Sequence, residues 1–387
     1  MMAPAHCLSA KGYARIRNVN DIKYWVALNR VPQLGTVRFR RLEAYFGDLE
    51  NAWTASLSQL REAGIETRVA KEIEAARTRS SPDGEMERLA RAGVKAVHWH
   101  HPDYSPRLRE IHDPPPVLYF KGQFLPKDER SVAVVGTRSP TAYGRQVATL
   151  LASDLARHGI TIVSGLARGI DGIAHRAALE SNGRTIAIVA TGLDIVYPKE
   201  HTHLSQQIQE QGAVASEYPL GVRPASGNFP RRNRLMSGIT LGTLVVEAGD
   251  HSGAIWTVQH ALEQNREVFC VPGSIFSPAS WFTNQMIQEG AKLVSNYEDI
   301  LEELNLTAVA SQMEMPLLPA PVEEGEAGLL RHLDHEPVHI DDLRRRAGLP
   351  ITEVSSLLSL MELKGLVKQV GCMHYIRLRE ATAAYAS

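Results

Sequence analysis

Four stretches of this sequence carry residue types suited to holding anions. Val134-Val135 is followed by Gly136, Thr137 and Arg138 ahead of a helical pattern. Ser164-Gly165-Leu166-Ala167-Arg168-Gly169 opens a second helical pattern in the same way. Glycine admits close backbone approach to an anion, and a helix N-terminus adds N–H groups and the positive end of a dipole. Arginine adds a planar fork that meets phosphate with two hydrogen bonds. Lys199 follows a third apolar run, near a helix start, where a cation opposes the dipole unless an anion is bound. In the fourth stretch, Gly227-Asn228-Phe229-Pro230-Arg231-Arg232-Asn233-Arg234, three arginines follow an aromatic ring. Guanidinium groups for phosphates and a ring face for a base suit one strand of nucleic acid. Pro230 is placed to start a helix, and part of the arginine run is expected to pair internally with residues such as Glu217 or Glu247.

Other constellations are poorer in chemistry. Asp171 is placed to cap the second helix, and His175 lies one turn further on the same face. No nucleophile is spaced with this pair, so a cap and a packed histidine are expected. His98, His100 and His101 flank Trp99 without a carboxylate or cysteine to complete a metal set, and His201 and His203 do no better. Cys7, Cys270 and Cys372 are too far apart in sequence to form a zinc motif, and they suit a reducing compartment. The Gly-x-x-x-x-Gly-Lys-[Ser/Thr] loop and the Gly-x-Gly-x-x-Gly fingerprint are both missing, so neither P-loop ATP hydrolysis nor a dinucleotide cofactor is expected. No metal or cofactor is expected at all.

The 387 residues carry a net charge of only −1, but the charge is unevenly spread. Arg130 to Thr240 holds 12 basic and 7 acidic residues, whereas Leu241 to Asn305 holds 2 basic and 9 acidic. Phosphates are drawn to the first surface and repelled by the second. No apolar stretch is long enough to span a membrane, and Met1 to Lys11 lacks the apolar core of a signal peptide. A cytoplasmic protein is expected, with a loose leader before about Asn18.

These residues need a scaffold. Tyr24 to Thr78 shows helical spacing, with Phe39, Leu42 and Phe46 on one face and Pro32-Gln33-Leu34-Gly35 as a turn. From about Trp99 to Asn305, short β-branched runs alternate with helical stretches. The runs are Val132–Val135, Ile160–Val163, Thr185–Ala190, Val214–Ala215, Leu244–Val246 and Val268–Val271. Such alternation predicts an α/β fold, a parallel sheet covered on both faces with ligands at the carboxyl ends of its strands. A proline-bearing linker follows, and then three helices and a hairpin, with Ile351–Lys364 in the recognition-helix position of a winged helix. The expected boundaries are 19–98 for the helical domain, 99–305 for the sheet domain, 306–326 for the linker and 327–380 for the winged helix.

Taken together, Val134–Thr141, Ser164–His175, Gly192–Pro198, Asn228–Arg234, Thr243–Gly253 and Val271–Gly273 resemble the DNA-processing protein A family (DprA, also called Smf), in family order. The resemblance implies a Rossmann-like domain that binds single-stranded DNA, and a non-enzymatic mediator that loads RecA recombinase onto incoming DNA during natural transformation. It also implies a homodimer. Carried over by position, Gly136, Thr137 and Arg138 line a phosphate pocket, Ser164, Gly165 and Arg168 form its neighbouring wall, and Lys199 supplies a further cation. Phe229 stacks on a base, while Arg231 and Arg234 support or contact the strand; Arg232 and Asn233 complete the run. Ser226 stands where some members have lysine, and Glu200-His201 where the family commonly has asparagine. The N-terminal helices resemble the family's helix-hairpin-helix or SAM-like domain, with one glycine in the turn where duplex-binding hairpins have two. From Val322 to Ser387 there are 8 basic and 10 acidic residues, which points the winged helix away from strong phosphate binding. The alternative reading is a nucleotide-processing enzyme. Leu241-Gly242-Thr243 through Glu247 faintly resembles the glycine-rich motif of phosphoribohydrolases, without its Pro-Gly-Gly portion.

Overall fold

The β-branched runs form the centre of the protein. In the structure, a computed structural model, residues 22–306, 324–334, 337–364, 366–371 and 373–377 are described. Nine strands make one sheet: β1 (Lys95–His98), β2 (Val117–Gly122), β3 (Ser131–Val135), β4 (Thr161–Ser164), β5 (Thr185–Ile188), β6 (Ala213–Ser216), β7 (Gly242–Val245), β8 (Glu267–Cys270) and β9 (Lys292–Leu293). Their spatial order is β1-β2-β6-β5-β4-β3-β7-β8-β9. All neighbours from β6 to β9 are parallel, while β1 and β2 add an antiparallel edge. That edge was not among the expected strands. The order runs one way from β3 through β4 to β6 and the other way from β7, so β3 and β7 bound a switch-point crevice.

Side chains alternate across the pleat. Val132 and Val134 enter a core with α8 (Ala142–Arg157) and α9 (Ile170–Glu180), where Leu151, Leu155 and Ile170 are buried. Ala133 and Val135 face the other core, shared with α11 (Asn228–Ile239) and α12 (Ala254–Glu263). This second core continues without a break into the N-terminal helices α1 (Ile22–Asn29), α2 (Thr36–Phe46), α3 (Leu49–Thr54), α4 (Leu57–Glu62), α5 (Thr67–Arg79) and α6 (Pro82–Arg91). Trp25, Leu28, Phe39 and Leu42 are buried there, as their spacing predicts. The helical region and the sheet therefore form one compact unit, and no separation by contacts falls near residue 98. Between them lies α7 (Pro106–Glu110), and α10 (Thr202–Gln211), α13 (Trp281–Gln288) and α14 (Tyr297–Glu303) complete the cover of the sheet.

A second compact unit follows residue 313. It contains α15 (Glu324–Leu330), α16 (Ile340–Ala347) and α17 (Ile351–Leu363), with strands β10 (Val338–His339), β11 (Val367–Gln369) and β12 (His374–Arg377) in the order β10-β12-β11. Gly348 ends α16 at φ 69°, a left-handed cap that suits glycine. Leu343, Val354, Leu358 and Met361 are buried in this unit's own core. This is a winged helix, as the three helices and hairpin predict. The expected leader, most of the linker, Cys7 and Cys372 lie outside the described residues.

Candidate nucleic-acid interface

Loops after β3, β4 and β5 meet at the carboxyl edge of the sheet. Thr137 N donates to Glu247 O at 2.7 Å, and Ile170 N donates to Thr137 O at 3.2 Å, so the first two loops are bonded to each other. Their glycines are close-packed. A Cβ on Gly136 would lie 2.6 Å from Ile170, and Gly169 holds φ +73° against the backbone of Thr137 and Arg138. Together the loops surround a small open depression lined by Arg138, Gly165, Arg168, Thr191, Tyr197 and Phe229 among others. The exposed Arg138 guanidinium stands over the Phe229 ring, 5.7 Å from its centroid. Tyr197 also neighbours Phe229, with ring centroids 5.7 Å apart and the rings tilted by 48°. A cation–aromatic pair beside an open depression can engage a phosphate and a base at once. Arg168 is exposed on the same depression and is paired with Glu200.

The helix N-terminus behind the first loop is already filled. Glu247 is buried in the switch-point crevice, where its carboxylate accepts from Thr141 N at 2.9 Å and Thr141 Oγ1 at 2.5 Å. It presses on Gly144, where any side chain would collide with it. The expected anion site at the start of α8 is therefore occupied by the protein's own anion. Asp171 does not cap α9; that position belongs to Gly169. Its Oδ2 instead accepts from Gly165 N (3.1 Å) and Ala167 N (3.3 Å), tying the second loop together. Burial raises its pKa.

The structure corrects the placement of several candidate residues. Ser164 is buried and its hydroxyl donates to Val134 O at 2.6 Å, so it braces β4 against β3 and does not form the pocket wall. The arginine run lies in α11, which begins at Asn228, two residues before Pro230. A helix turns successive residues through about 100°. Arg231 is exposed, while Arg232, Asn233 and Arg234 are buried; Arg234 lies only about 60° round the helix from Arg231 and is covered by its acidic partners. Arg234 pairs with Glu217 at 2.7 Å and Asp113 at 3.3 Å. Asn233 donates to Gly253 O, and Arg232 donates to the carbonyls of Gly165 and Ile188. These three hold α11 to its surroundings and do not lie on the open surface. Lys199 is exposed, next to Pro198 on the rim.

Other singled-out residues have structural partners. His175 is fully buried, with Nδ1 2.6 Å from Thr185 Oγ1, and burial pushes its pKa down to about 3. His201 Nδ1 lies 3.0 Å from Leu166 O. His98 stacks on Trp25, and His100 meets Glu43 at 2.8 Å. Tyr197 and Thr191 line the depression yet were not among the candidates, although Tyr197 sits within a quoted motif.

Comparison with known proteins places this geometry. The profile of the DNA recombination-mediator protein A family matches residues 95–305, and that of the DprA winged helix domain matches residues 313–371. A Synechocystis protein, Protein Smf, is 34% identical over 92% of this chain and 98% of its own length. The chain belongs to the DNA recombination-mediator protein A family. Protein Smf of Escherichia coli is 40% identical over 72% of this chain and 76% of its own. The crystal structure of DNA processing protein A from Streptococcus pneumoniae superposes with a TM-score of 0.63 at 32% identity, covering 73% of this chain and 97% of that one. A Helicobacter pylori DNA processing protein A, solved for its single-stranded DNA binding mode, has a TM-score of 0.50 at 29% identity, covering 55% and 95%. Among the described residues no helix is long and apolar enough to cross a membrane.

Proposed function

We propose that this chain binds single-stranded DNA in the depression at the carboxyl edge of β3, β4 and β5, and that it acts as a recombination mediator without catalysis. Arg138 over Phe229 carries the reading, because an anion site alone has no use for a half-buried ring at the edge of the depression under its arginine. Gly136 and Thr137 shape the loop that presents Arg138, while Gly165, Arg168 and Lys199 extend the surface and Arg231 continues it. The Helicobacter pylori relative, described as binding single-stranded DNA, supports this assignment. Within this reading, the homodimeric protein loads RecA onto incoming DNA during natural transformation, in the cytoplasm.

The rival reading, a phosphoribohydrolase-like enzyme, needs Glu247 to face a nucleotide. Its carboxylate is instead buried against Thr141 and Gly144. Fluorescence titration with an oligothymidine and with thymidine monophosphate tests the proposal. Much tighter binding of the oligomer is expected, followed by RecA assembly on the covered strand. Equal binding of the two, or cleavage of a nucleoside monophosphate, overturns it.

A further inference from the structure

The three arginines of α11 differ in how their charge is balanced. Arg231 and Arg234 both reach Glu217, at 3.8 Å and 2.7 Å. Arg232, only 4% exposed, forms no ion pair among the described residues. Its Nη1 donates to Gly165 O at 2.7 Å and to Ile188 O, and its Nε to Asn233 Oδ1 at 3.2 Å, all neutral acceptors. Burial lowers its pKa to about 10, which leaves it cationic at neutral pH. The opposing field comes from Asp171, whose Oδ2 is engaged by two backbone N–H groups. Arg138 stands close enough to add repulsion.

The Arg232 guanidinium, held by neutral acceptors, lies against the candidate site. Nη2 of Arg232 makes no hydrogen bond to the described residues. It lies 2.5 Å from where a Gly165 Cβ would be, and Gly165 lines the depression. A buried guanidinium that has its counter-charge, Asp171, near it but not in an ion pair remains costly, and an anion brought to the wall in front of it offsets part of that cost. We propose that Arg232 is a positioning residue whose counter-ion is a phosphodiester of the bound strand, seated against Gly165. This rests on the single-stranded DNA reading and adds a role for a residue that the fold withdraws from the surface. It also accounts for glycine at 165, since any side chain there would displace the guanidinium.

Thermal unfolding and fluorescence anisotropy of the full chain, with an oligothymidine as probe, test the proposal. Arg232→Gln takes the donor from two buried carbonyls, so some loss of Tm is expected in the free protein, together with a weakening of the oligomer by about tenfold or more. Its Tm gain on adding oligomer shrinks accordingly. A lowered Tm with unchanged affinity overturns the proposal and leaves Arg232 a structural strut. If Arg232→Gln does not fold, Arg232→Lys decides, because it keeps the charge and loses the fork. Affinity within about threefold of wild type supports the role, and a loss of about tenfold at wild-type Tm overturns it. Arg138→Ala separates the two levels of the argument. If it leaves affinity unchanged, the strand binds elsewhere and the underlying reading fails. If it weakens binding and Arg232→Gln does not, only the present inference fails.

Discussion

Arg138 and Arg168 share one depression but differ in their electrostatic partners. Arg138 forms no ion pair among the described residues and rests on Phe229, whereas Arg168 is held by Glu200. Removing Arg138 therefore removes a fully available phosphate ligand. Arg138→Ala is expected to cost about 1–3 kcal/mol of oligothymidine binding and to reduce the slope of log K against log salt by about one, read from titrations at several salt concentrations. Glu200→Gln has the opposite sign, since it releases Arg168 to the ligand. A few-fold gain in affinity is expected at low salt, fading as salt screens the exposed charges, and no gain at low salt would show that the pair does not restrain Arg168. The chemistry of these exposed residues was legible in the sequence because glycine and arginine follow a strand in adjacent positions. The burial of Arg232 and Arg234 was less so. The expected internal pair did form, between Arg234 and Glu217, but a charge run does not show that Arg232 is buried on backbone carbonyls or that Asp113, 121 residues away, is Arg234's second partner.

At the scale of elements, the parallel strands were legible because β-branched runs buried on both faces have few other uses. The β1–β2 edge was not. Lys95–His98 is a short, mixed segment that pairs with Val117–Phe120 under α1, a contact its own sequence does not show. The helix N-termini misled for a physical reason: the sequence shows a strand–glycine–helix turn but not which carboxylate will fill it. Glu247, from the loop after β7, fills the first. The packing of α9 against β5 carries its own prediction, because it buries His175 beside Thr185. Burial lowers the folded pKa from 6.5 to about 3. The unfolded chain therefore binds a proton that the folded chain refuses, and stability is complete above about pH 6.5 and lost as pH falls toward 3. At pH 5 the loss from this group is about 2 kcal/mol. Urea unfolding at pH 7 and pH 5 checks it, with His175→Gln expected to show a decline smaller by about that amount. An equal decline in both proteins would mean that His175 is not the group responsible.

At the scale of the whole molecule, the two compact units carry different surface chemistry. The sheet unit places arginines around the depression. In the winged helix, the recognition-helix position is taken by Ile351–Leu363, ITEVSSLLSLMEL, which contains no lysine or arginine. Its exposed positions include Ile351 and Leu360, and its charged residues are acidic. A helix that reads DNA needs cations for the phosphates beside the groove it enters, and this one would bring Glu353 and Glu362 toward them. Three of this unit's arginines, Arg344, Arg345 and Arg346, instead stand at the end of α16, where they also suit the helix dipole. The described residues of the sheet unit form two hydrophobic cores, so it is expected to fold when the chain ends at residue 306. That shortened chain is expected to bind oligothymidine within about twofold of the full chain and with the same salt slope, because no phosphate contact is assigned to the part removed. A fall of about tenfold, with the unfolding transition of the sheet unit intact, would move part of the binding surface to the winged helix. The measurement therefore tests whether charge distribution alone locates the strand on this protein.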